Sequence, residues 1–156
     1  MSIRLKLVIG GVVVLVVGVL VGIFVASQQN PIHIPDTARK EVTFGIILPK
    51  KLPSQFYVAS QPTFDTEKHV LSTKLQVAKS GTITISQQTK PKDTDLKQID
   101  SQENFLSTVG SVYVLKGEAK RIQVIIDASD SWLFINGDDS VGITTVKTLI
   151  DSLAVR

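Results

Sequence analysis

Twenty consecutive residues, Leu7 to Ala26, carry no charge and no strongly polar side chain, and fifteen of them are Val, Leu, Ile or Phe. At about 1.5 Å rise per residue, a helix of that length matches a hydrocarbon core of roughly 30 Å. Each Val, Leu, Ile or Phe favours insertion by roughly 0.3–0.6 kcal/mol, which outweighs the cost of Gly10, Gly11, Gly18 and Gly22. The run predicts a transmembrane helix over 7–26, anchored through Leu7, Val14, Leu20 and Ala26, with the lipid bilayer as its surroundings. Residues 1–6 form a short arm. A cleaved signal peptide ending after Ser27 is the rival reading. The apolar run, however, exceeds the roughly 7–15 residues of a signal core, which favours a retained anchor.

Orientation follows from charge. Arg4 and Lys6 precede the run, and the next charges are Asp36, Arg39 and Lys40. Basic residues at a membrane end prefer the cytoplasmic side, so the arm is expected inside and the C-terminal domain outside, extracellular or periplasmic. Gly18 and Gly22 form a small-xxx-small pair, with Gly11 on nearly the same helix face. Such a stripe allows close approach of two helices and a homodimer through the membrane, although glycine is also common in membrane helices generally.

Residues 28–156 carry 15 basic and 14 acidic side chains, a net charge of about +1. That balance supplies no basic stripe for nucleic acid. The chain has no cysteine, which removes disulfides, thiolate metal sites and a lipidated-cysteine anchor. An exported domain held by its core alone fits a bacterial or archaeal cell surface. The 129 residues of 28–156 suffice for one domain.

Residues 27–39, with Pro31 and Pro35, read as an extended linker, and the folded domain is expected over 40–156. Val42, Phe44 and Ile46 alternate with a period of two, and Phe56–Ala59 is a second short strand. His69–Lys79 places Leu71, Thr73, Leu75 and Val77 on one face. Ser80-Gly81 then offers a turn into Ile83 and Ile85, the clearest hairpin in the chain. Further strands are expected over Ser111–Lys116, Lys120–Asp127 and Ser131–Ile135, the last two joined at Ala128-Ser129-Asp130. Thr94–Ser107 is expected as a helix carrying Leu96, Ile99 and Leu106. Near the C-terminus, Val146, Leu149, Ile150 and Leu153 fall at i, i+3, i+4 and i+7. This is one apolar stripe, with Thr144 or Thr145 as cap and Lys147 and Asp151 facing solvent. The fold class is α+β: an N-terminal transmembrane helix, then an antiparallel sheet with a packed C-terminal helix.

The stretch Leu48-Pro49 to Leu52-Pro53-Ser54-Gln55-Phe56-Tyr57 resembles the opening of an uncharacterised bacterial extracellular domain displayed behind a single transmembrane helix. That domain occurs in some membrane proteins linked to anti-sigma factors or sporulation. Ile83-Thr84-Ile85-Ser86-Gln87, Ser131 to Gly137 and Leu149-Ile150-Asp151-Ser152-Leu153 are similar to its second half. The resemblance covers roughly residues 44–153 and implies an envelope location and an α+β shape.

Motifs for chemistry are sparse. Lys79-Ser80-Gly81 is similar to one motif of penicillin-interacting enzymes, but no Ser-x-x-Lys nucleophile motif accompanies it, and a hairpin turn accounts for it. His33 and His69 are the only histidines, so a transition-metal site would need both together with carboxylates. Asp138-Asp139 lacks the rest of a calcium loop and reads as a solvated turn. Trp132 shares a strand face with Phe134, which favours core packing over glycan stacking. No catalytic, cofactor-binding or metal residue is therefore assigned, and no cofactor is expected. The expected function is a membrane-anchored extracellular binding, sensing or scaffolding domain with an envelope protein partner. An unrecognised envelope enzyme or subunit, or a lipid or lipoprotein carrier, are the alternatives.

Overall fold

Alternation of apolar and polar residues builds most of the molecule. The computed structural model describes residues 31–78, 81–92, 96, 99–115 and 121–156. Helix α1 spans Asp36–Glu41, followed by strands β1 (Ile47–Pro49), β2 (Phe56–Asp65), β3 (Val70–Val77) and β4 (Thr82–Thr89). Then come β5 (Ser101–Ser107), β6 (Gly110–Leu115), β7 (Gln123–Asp127), β8 (Ser131–Gly137), helix α2 (Ile143–Asp151) and β9 (Leu153–Val155). Seven strands form one antiparallel sheet in the order β2-β3-β4-β8-β7-β6-β5, and β1 pairs with β9 in a small second sheet. The domain is α+β, with an antiparallel sheet and a C-terminal helix.

Alternate residues of the central strands, Leu75, Ile83, Ile85, Leu133, Ile135, Val124, Ile126, Val112 and Val114, point to one face. They share a buried cluster with Val146, Leu149 and Ile150 of α2 and with Ile47 and Leu153 of the small sheet. Burying each Leu or Ile side chain contributes roughly 1.5–3 kcal/mol. A nine-residue helix is too short to persist alone, so α2 owes its existence to this contact. Its cap differs from expectation: Gly142 stands at the N-cap with no side-chain bond, and the Thr148 hydroxyl donates to the Thr144 carbonyl at 3.0 Å. Leu153 lies beyond the helix in β9, where it still reaches the same core. Lys147 is on the solvent side, as expected, with its side chain 39% exposed, but it is not without partners. Its Nζ donates to Glu103 Oε1 at 2.6 Å and sits 5.2 Å from the Phe105 ring centre.

Three more expectations change. The helix expected over Thr94–Ser107 is replaced, from Ser101 on, by β5, which pairs with β6, in unbroken register from Glu103 to Ser107. Leu96 and Ile99 pack in a cluster with Trp132 while Leu106 is 83% exposed, so the three never share a stripe. Neighbouring β6 offers a ladder, and tertiary pairing overrides a weak helical pattern. Second, β2 runs through Pro62 to Asp65, longer than Phe56–Ala59. It is an edge strand, where a missing N–H is tolerated, and its register shifts on either side of Ser60. Third, Val42, Phe44 and Ile46 join no ladder. Phe44 and Ile46 are nonetheless buried with Ile34, Ala38, Leu48 and Leu71.

That last cluster also draws in the expected linker. Pro31 onward belongs to the compact unit of residues 31–156, and Ala38 of α1 is 0% exposed. Pro35 at the helix N-cap and extended backbone at Val42 confine α1 to six residues. The expected anchor Leu7, Val14, Leu20 and Ala26, and the glycines Gly11, Gly18 and Gly22, lie outside the described residues. Among the described residues no helix is long and apolar enough to cross a membrane.

Candidate functional site

The face of the large sheet opposite the core divides into two unlike halves. Residues that alternate with the buried positions of β3, β4, β8 and β7 pair across strands as Lys74–Thr84, Thr84–Asn136 and Asn136–Gln123. Four hydrogen-bonding side chains thus stand in one row, about 14 Å long at the usual spacing of about 4.8 Å between strands. The strand period of two puts them there: each is flanked by a core residue, such as Leu75, Ile83, Ile135 or Val124.

The row floors a hollow of about 350 Å³ that is also lined by Thr82, Arg121, Gly137 and Asp138. Asp138 is held from two sides. Its Oδ1 accepts from the Ser140 hydroxyl at 2.6 Å and the Ser140 N–H at 3.1 Å, and its Oδ2 accepts from the Thr82 N–H at 2.6 Å. These bonds, the Ser140 hydroxyl foremost, favour the ionised form and hold the carboxyl below its ordinary value of 3.8. Arg121 pairs with exposed Asp139 at 3.3 Å. The Asp138-Asp139 turn is solvated as expected, and Asp138 also ties it to Thr82 at the start of β4.

From the next row on, the same face is closed. Trp132 and Phe134 meet edge-on with ring centres 6.3 Å apart, and Leu96, Ile99, Ile125, Tyr113 and Leu115 pack with them. Trp132 is 8% exposed, and its Nε1 donates to Asp127 Oδ1 at 3.1 Å, the oxygen that also meets Lys90 Nζ at 2.6 Å. The core reading of this tryptophan holds.

The other residues singled out do not converge. His33 is exposed at the chain entry, where its N–H donates to Gln61 Oε1 at 2.8 Å. His69 turns the β2–β3 hairpin with φ 52° and lies 6.4 Å from the Phe64 ring. Lys79 and Ser80 lie outside the described residues. Among the described residues no three His, Cys, Asp or Glu side chains gather as a metal would require. Sequence reasoning missed the polar row, whose signal was available in the outward positions of three expected strands. It also missed buried Gln87, which the alternation alone would assign to an apolar residue. Comparison with protein-family models, curated proteins and solved structures finds no match.

Proposed function

We propose that this chain is a single-pass, membrane-anchored binding domain of the cell envelope, non-catalytic, whose polar sheet face receives the ligand. One observation carries the reading. The row Lys74, Thr84, Asn136 and Gln123 is left open beneath a hollow, while the other half of the same face is sealed by Leu96 and Ile99. Hydroxyl, amide and cationic groups in register form a preorganised set of donors and acceptors, because their backbones are fixed by three strand ladders. The apolar run Leu7–Ala26 supports the anchor, and Arg4 and Lys6 support the outward orientation.

Photo-crosslinking in intact cells tests the reading. A photoreactive side chain at Asn136 should give a discrete adduct that one at Asp151, exposed on α2, does not. Equal labelling from both positions, or none from Asn136, would overturn the assignment of this face.

A further inference from the structure

The large sheet has two edges, and the chain treats them differently. The β2 edge is occupied and irregular. Pro62 removes a donor, the register shifts on either side of Ser60, and the entering chain lies along it, with the Gln61 amide donating to the Pro31 carbonyl at 3.3 Å. These are the usual means by which a sheet edge is kept from pairing with another chain. At the other edge, β5 keeps an uninterrupted register with β6 from Glu103 to Ser107. Among the described residues no strand pairs with its outer side. From Asn104 to Val109 it carries no charge, and Glu103 is already balanced by Lys147 at 2.6 Å. Leu106 projects from it, 83% exposed, beside a hollow of about 340 Å³ lined by Asn104, Phe105, Leu106, Ser111, Val112 and Tyr113.

We propose that β5 is a homodimerisation edge, pairing antiparallel with β5 of a second copy of this chain about a two-fold axis at Phe105. In that register Leu106 of each copy faces Asn104 of the other. Asn104 is the cross-strand neighbour of Tyr113, so each leucine covers the partner's hollow and the contact is reciprocal, as two-fold symmetry demands. Glu103 then faces the partner's Ser107, and no like charges oppose. A second copy is chosen over a foreign strand because Asn104 to Val109 is neutral and this register sets each copy's exposed Leu106 over the other's hollow. Antiparallel addition also satisfies the free backbone groups of both copies at once.

The test uses residues 31–156, which form a compact unit of their own. Without residues 7–26, association through the membrane helix cannot contribute. Sedimentation equilibrium should find a dimer, and Leu106→Lys should weaken it by roughly a hundredfold, since two leucines lose their cover. The melting temperature of the diluted monomer should not move, because Leu106 is exposed within one copy. Disulfide trapping gives the register: Leu106→Cys mixed with Asn104→Cys should crosslink faster than either alone. A monomer at all concentrations, or a dimer indifferent to Leu106→Lys, overturns the proposal.

Discussion

The side-chain carbonyl of Gln87 accepts the backbone N–H of Ile47 at 2.9 Å, 40 residues away in sequence, from a position only 1% exposed. The same side chain donates to the Gly45 carbonyl at 2.7 Å and to the Ser131 hydroxyl at 2.9 Å. Asp130 Oδ2 takes the Gly45 N–H at 2.9 Å. Gln87 of β4 and Asp130 of the β7–β8 turn thus replace the ladder that residues 43–46 lack, and among the described residues no buried side-chain polar atom is left without a partner. Gln87→Leu would leave the Ile47 N–H, the Gly45 carbonyl and the Ser131 hydroxyl short of a partner. It should destabilise residues 31–156 by roughly 2–4 kcal/mol, read as the shift of the urea midpoint. An unchanged midpoint would mean that the strap over the core is not held by this amide.

Asp138 makes stability depend on acid. Its pKa in the fold lies below the ordinary 3.8, so its contribution is fully present above that value. That contribution is lost as pH falls from 3.8 through the lower folded value. Wild type should therefore exceed Asp138→Ala in denaturant midpoint at neutral pH, and the gap should close well below pH 3.8. A gap that stays constant with pH would contradict the hydrogen-bond account.

Gly81 and Asp138 should be coupled. Gly81 has φ +33°, and a methyl group there would overlap the Asp138 carboxylate. Gly81→Ala is expected to cost at least about 1 kcal/mol from backbone and overlap together. Added to Asp138→Ala it should cost less than it does alone, because the overlap is gone. Strict additivity in thermal melts would place the cost in the backbone only.

Helix α2 closes the core. Leu149→Ala with Leu153→Ala should approach complete unfolding. Each truncation costs about 2–5 kcal/mol, against a typical total of about 5–15 kcal/mol. Lys147→Ala should cost about 0.5–1.5 kcal/mol, because it removes a contact to Glu103 and to the Phe105 ring. Chemical denaturation distinguishes this from a lysine whose contacts contribute nothing, the loss of which would leave the midpoint in place.

Topology is open to a direct assay. External protease on intact cells should digest residues 31–156, and the intact mass should include residues 1–27. Protection until lysis would reverse the orientation drawn from Arg4 and Lys6. A chain beginning at Gln28 would replace the anchor by a cleaved signal.

Central strands were legible in the chain because their pattern is local. His69–Lys79 and Ile83–Ile85 alternate cleanly, and Leu75, Ile83, Ile85, Val124, Ile126, Leu133 and Ile135 of β3, β4, β7 and β8 meet one core. Val146, Leu149 and Ile150 were legible for the same reason, with a period of 3.6 in place of two. Where pattern and structure part, the deciding contact is remote. Leu106 reads as helical until Ser111 stands beside it across the β5–β6 ladder. Lys147 reads as simply solvated, and its pairing with Glu103, 44 residues upstream, appears only in the fold.

The amino-acid sequence by itself thus determined the apolar run, the sheet-forming alternation and the amphipathic last helix, because each is a periodicity that a chain carries before it folds. Tertiary structure alone decided that residues 31–41 belong to the domain, that Gln87 is a core residue and that β5 is, among the described residues, an edge of the large sheet. It also assembled the polar row, since Lys74 and Gln123 become neighbours of Thr84 and Asn136 only through strand order. Period two states which face a residue takes, whereas strand order states who stands beside it, and strand order is set by burial summed over the whole domain.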